Sequence, residues 1–157
     1  MDVSEPQFLE MGEGAKRRRI AYRFAEAGGT GPALLWLPGF MADMSGGKAE
    51  ALAAFARVQG LPMLRFDYSG HGLSPGSMLE GTIGAWLEEA SAMLRLIGGR
   101  RSILIGSSMG GWIALLLARQ LQQAGEIGRL ADRLRRRFAA FIVQRRHVRW
   151  RRRSRTA

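Results

Sequence analysis

Five consecutive apolar residues, Ala33-Leu34-Leu35-Trp36-Leu37, stand between Gly31-Pro32 and Pro38-Gly39. A run without polar alternation, closed at both ends by turn formers, reads as a strand covered on both faces. Comparable short segments recur at Met63 to Phe66 and at Arg101 to Ile105, and helical patterns separate them. Lys48 to Gln59 carries Ala51, Leu52, Phe55 and Val58 at helical spacing and stops at Gly60. Thr82 to Ile97 sets Ile83, Trp86, Leu87, Ala90, Leu94 and Ile97 on one face and stops at Gly98-Gly99. Trp112 to Gln122 is apolar nearly all round, which predicts a helix packed deep against a sheet. Alternation of strand and helix predicts an α/β fold, a parallel sheet flanked by helices. Ahead of this pattern, Arg19 to Ala25 alternates Ile20, Tyr22 and Phe24 with polar or small residues and reads as one more strand. The charge run Lys16-Arg17-Arg18-Arg19 beside it reads as a solvated turn rather than a binding patch.

Charge divides the chain in two. The 157 residues carry a net charge of +11, yet residues 1–126 hold twelve basic and twelve acidic side chains. Residues 127–157 hold twelve arginines, no lysine and one acid, Asp132. We therefore read residues 1–126 as the N-terminal part of a domain, and residues 127–157 as an Arg-rich tail expected to lie outside the native fold. There is no cysteine, which excludes disulfides, a thiol nucleophile and a thiolate metal site. Asp2, Glu5 and Glu10 do not fit a secretory signal. The longest strongly apolar stretch, Trp112 to Ala118, has seven residues, against the roughly 20 that a membrane span needs. These features lead to the expectation of a cytoplasmic protein with no transmembrane segment.

One turn carries chemistry. Gly106-Ser107-Ser108-Met109-Gly110 joins the strand ending at Ile105 to the helix from Trp112. A sharp strand-to-helix turn lifts a serine hydroxyl above the sheet edge and places the next backbone N–H at a helix N-terminus, where an oxyanion is stabilised. The flanking positions must be very small, and here they are Gly106 and Gly110. A phosphate-binding glycine turn is the competing reading, but the chain has no G-x-x-x-x-G-K-[ST], and the turn does not follow G-x-G-x-x-G. A second oxyanion donor should come from the loop after an earlier strand. Gly39 allows close backbone approach there, which makes the Phe40 N–H the candidate.

Pro38-Gly39-Phe40, the segment Arg65-Phe66-Asp67-Tyr68-Ser69-Gly70-His71-Gly72-Leu73-Ser74, and Gly106-Ser107-Ser108-Met109-Gly110-Gly111-Trp112 together resemble the α/β-hydrolase superfamily. The wording Asp-Tyr-Ser-Gly with Gly-Ser-Ser-Met-Gly-Gly-Trp is similar to its palmitoyl-protein thioesterase and acyl-glucuronide esterase branch. The resemblance covers about residues 19–125. It implies Ser108 as nucleophile, the N–H groups of Phe40 and Met109 as oxyanion donors, and carboxylic ester or thioester substrates, small molecules or acylated proteins. It also implies that neither a metal nor an organic cofactor takes part.

The family's triad runs serine, acid, histidine along the chain, with the last two well after the nucleophile. Glu126, Asp132 and His147 follow Ser108, all in or beside the basic segment, and none matches a family position. His71 and Asp67 lie before the nucleophile. His71 reads as a loop residue rather than a base, and Asp67 as a loop anchor that bonds backbone N–H groups. His147 sits among arginines that disfavour its protonated form. Turnover is accordingly expected to be impaired. After Gly125 a fourth buried strand is due, and arginine clusters stand there instead. One expectation is that the sequence past about Leu130 is an out-of-frame reading, which the other two frames of the coding DNA would test. A rival reading is an inactive hydrolase-like protein whose basic tail binds anionic membrane or nucleic acid. Leu130, Leu134, Phe138, Phe141 and Ile142 would then form one face of a basic helix. No specific nucleic-acid partner is expected.

Overall fold

A computed structural model describes residues 5–123 and the backbone of residues 140–143. In chain order it contains β1 (Gln7–Met11), β2 (Arg18–Ala25), β3 (Ala33–Leu37), α1 (Gly47–Val58), β4 (Met63–Phe66), α2 (Ile83–Leu96), β5 (Ser102–Ser107), α3 (Met109–Gln123) and β6 (Ala140–Val143). The sheet order is β1-β2-β4-β3-β5-β6. β4, β3, β5 and β6 run parallel, with Leu35 opposite Leu64 on one side and Leu104 on the other. β1 and β2 are antiparallel additions at one edge. The sheet is thus mixed: β2 is the strand read over Arg19 to Ala25, and its antiparallel pairing is not part of the predicted parallel sheet.

Every residue of β3 is buried. A strand alternates its side chains between two faces, so β3 feeds two cores. Leu35 and Leu37 join Leu64, Phe66 and Leu104 beneath α2 and α3, against Trp86, Ala90, Met93, Ile113, Ala114 and Leu117. Leu34 and Trp36 join Met63 and the partly buried Ile103 and Ile105 beneath α1, against Ala49 and Ala56. These are the three layers expected of an α/β fold.

Several local expectations change. β1 is not predicted. Its residues Gln7-Phe8-Leu9-Glu10-Met11 form an edge strand in which Leu9 and Met11 reach the core and Phe8 lies under the Arg19 guanidinium, 3.9 Å from ring centre to Cζ. The buried face of α1 is Ala49, Leu52, Ala53 and Ala56, whereas Phe55 and Val58 are exposed. Trp36 and Leu34 fill the space between the layers, so the helix meets them with alanines. α3 starts at Met109, ahead of the predicted Trp112. Its buried residues are Gly110, Gly111, Ile113, Ala114 and Leu117, whereas Trp112 and Leu115 are exposed. β6 supplies a strand where the sequence pattern predicts none, in parallel register with β5 from Leu104 opposite Ala140 to Ser107 opposite Val143.

Candidate active site

Ser108 lies between the end of β5 and the start of α3, is exposed, and has φ of 53°. Few L-residues adopt that backbone conformation, and it persists only where the surroundings enforce it. Here the enforcement is steric. A Cβ at Gly110 would overlap the carbonyl oxygens of Leu37 and Pro38, and one at Gly106 would overlap the Gly110 carbonyl. Gly110 lets the first turn of α3 press onto the end of β3, and Gly106 lets that turn close against the end of β5. Helix bonds then close behind the turn, with Gly111 N and Trp112 N donating to the Ser108 carbonyl at 2.9 and 3.2 Å. The Met109 N–H is the first of α3, among the groups that a helix leaves without internal partners.

The loop from Pro38 to Gly46 borders this turn. A Cβ at Gly39 would lie 3.0 Å from the Ser107 carbonyl oxygen and 3.5 Å from the Ser108 Cβ. Gly39 therefore allows the approach, and Phe40 follows it on the exposed side. Gly106, Ser108, Met109 and Gly110 thus share one turn, and Gly39, the residue before Phe40, lies against it.

Buried polar groups hold these loops. Asp67 is buried, and its carboxylate accepts from Met44 N at 2.6 Å and from Leu73 N at 2.8 Å. The loop-anchor reading of Asp67 thus holds, across two loops at once. Arg65 donates to the Met44 carbonyl and to Glu50, at 2.8 and 2.6 Å. Glu89 on α2 is fully buried and accepts from Ser69 N and Oγ at 3.0 and 2.7 Å, with Arg18 3.3 Å away. Burial raises the Asp67 carboxyl above its usual range, and the bonds from Leu73 and Met44 pull it partly back. Burial likewise raises Glu89, against the Ser69 bonds and Arg18. Neither Arg65 nor Glu89 stands out from the sequence as a residue that holds these loops. A charge inside the strand run Met63-Leu64-Arg65-Phe66, and one at helical spacing from Trp86 and Met93, are the signals that would find them.

His71 does not reach the serine. Its Nδ1 bonds the Ser69 carbonyl at 3.2 Å, and its Nε2 is buried without a hydrogen-bond partner. Phe40, Tyr68 and Trp86 surround the ring, Trp86 edge-on at 5.3 Å between centroids. It is a loop residue in an aromatic cluster. Glu126, Asp132 and His147 lie outside the described residues, and among the described residues no cluster of metal-ligating side chains occurs.

Residues 33–131 match the family model of serine aminopeptidase, S33. The chain belongs to this S33 hydrolase family. Members of its α/β-hydrolase superfamily include the palmitoyl-protein thioesterase ABHD10, mitochondrial, of Rattus norvegicus. This chain is 39% identical to it over 87 residues, which cover 55% of the chain and 29% of that protein. The Homo sapiens counterpart is 38% identical over the same length. Among solved structures, a hydrolase from Agrobacterium vitis superposes with a TM-score of 0.73 at 42% identity, over 76% of this chain and 46% of that one. Mouse alpha/beta hydrolase domain-containing protein 10 gives a TM-score of 0.67 at 32% identity, with the same two coverages. The matched stretch of this S33 chain therefore spans under a third of the curated relatives and just under half of the solved ones. The names of those relatives overturn the expectation of a cytoplasmic protein, since they are mitochondrial. Missing cysteines and early acidic residues do not distinguish one reducing compartment from another.

Proposed function

We propose that this chain carries the nucleophile half of a serine esterase or thioesterase. Ser108 Oγ attacks the acyl carbonyl, and the N–H groups of Phe40 and Met109 hold the oxyanion. The carbonyl reforms, the bond to the leaving oxygen or sulfur breaks, and the serine proton passes to the leaving group. Water then cleaves the acyl-enzyme and releases the acid. The observation that carries this reading is the exposed Ser108 at φ 53°, with Gly39 against its Cβ on one side and the start of α3 on the other. Kinship with palmitoyl-protein thioesterases supports an acyl ester or thioester as substrate.

No described residue occupies the place of a general base. An oxyanion pocket without its base retains about 10³–10⁴-fold over water, so slow turnover is expected. The test compares hydrolysis of a short p-nitrophenyl ester and of a palmitoyl thioester by the wild type and by Ser108→Ala. Turnover that disappears in the variant supports the assignment. Equal rates in two folded samples overturn it for this chain.

A further inference from the structure

Lys48 is the second residue of α1, just past the loop that carries Phe40, and its Nζ donates to Ser107 Oγ at 2.9 Å. Ser107 closes β5, is buried, and directly precedes Ser108. Ion pairs among the described residues are made by Arg17, Arg18, Arg19 and Arg65, and Lys48 instead bonds the Ser107 hydroxyl. Ser107 is held by Lys48 at its hydroxyl, and the Gly39 backbone lies close against its carbonyl. Both neighbours come from the segment that follows β3. The β3–β5 ladder ends at Leu37 opposite Gly106, and beyond it the Lys48 bond ties the segment that carries Phe40 to the residue just before Ser108 and Met109.

We infer that Lys48 is a positioning residue, which through Ser107 holds the strained turn at Ser108 in register with the Phe40 loop; this rests on Ser108 being the nucleophile. A donor pair is effective only if fixed before charge develops, and a looser tie widens the spread of Phe40-to-Met109 separations. The charge also adds positive potential beside the start of α3, where negative charge is favoured.

The test uses the full chain with Lys48→Met, Lys48→Arg and Ser107→Ala. The first readout is amide hydrogen exchange at Gly111 and Trp112, whose N–H groups bond the Ser108 carbonyl. The second is the rate at which a fluorophosphonate probe labels Ser108, followed by intact mass. Lys48→Met and Ser107→Ala should speed exchange at these two amides but not at Leu117, in mid-helix. They should also slow labelling by about 10- to 100-fold, the range expected for small misplacements of a reacting group. Thermal midpoints should stay close to wild type, and Lys48→Arg, which keeps a charged donor, should restore both readouts. Unchanged exchange in Lys48→Met overturns the inference. So does faster exchange that Lys48→Arg fails to restore, since that marks a purely structural side chain. A wild-type chain that the probe never labels at Ser108 overturns the nucleophile assignment instead, and the exchange data still decide whether Lys48 holds the turn.

Discussion

At the scale of single residues, the fold rests on buried polar groups and on atoms that must be absent. A methyl group at Gly110 would collide with two carbonyl oxygens of the neighbouring strand end, which cannot move aside as a side chain can. Gly110→Ala should therefore cost at least the 1–3 kcal/mol, roughly, of an overpacked core, read by urea unfolding. Asp67→Asn turns an NH₂ group toward Met44 N or Leu73 N and leaves one buried donor unpaired. A loss of about 1–3 kcal/mol is expected, and a loss within error would mean that the two loops do not depend on this carboxylate. Burial raises the folded-state pKa of both Asp67 and Glu89. An acid with a higher pKa folded than unfolded binds more protons when folded, so its contribution is full at low pH and is lost as the pH rises through the folded value. Thermal midpoints followed upward from about pH 4 should show a decline that Glu89→Gln flattens. A steeper decline in the variant would contradict the cause assigned to the shift.

At the scale of elements, what a helix buries depends on what its partner strand leaves open. Leu52, Phe55 and Val58 have helical spacing in the sequence, yet of these only Leu52 turns inward, beside Ala49, Ala53 and Ala56, because Trp36 already fills the gap. Ala56→Leu should thus cost about 1–3 kcal/mol by overpacking, while Phe55→Ser should stay within about 0.5 kcal/mol. If the two costs were reversed in chemical denaturation, the orientation of α1 would be wrong. β3, β4 and the core of α2 were legible because continuous apolar runs and a 3.6-residue period need no knowledge of neighbours. β1 was not legible, since an edge strand is half polar and its pairing with β2 is a long-range fact.

At the scale of the whole molecule, the question is what the Arg-rich segment does. Ending the chain after Val143 removes seven of its twelve arginines and keeps β6. Binding to nonspecific DNA should then weaken, with a slope against log salt shallower by about 0.9 per lost phosphate contact. An unchanged slope would mean that these arginines do not carry the polyanion affinity. Ending the chain after Gln123 also removes β6 and bares the edge of β5, which should aggregate more readily by light scattering than the longer cut. Equal behaviour of the two cuts would favour the composition-based proposal that residues 127–157 stand outside the native fold.

The sequence alone determined the α/β class, the position of the turn at Ser108 and the small residues around it. Those depend on local rules: burial pattern, period, and the volume that a sharp turn tolerates. Only the tertiary structure decided which groups hold the turn. Lys48 is 59 residues from Ser107, and Asp67 is 23 from Met44. A lysine early in a helix and an aspartate after a strand look like solvated charges until the sheet order sets them beside their partners. The pairing is fixed by which strands lie next to each other, and spacing along the chain does not encode it.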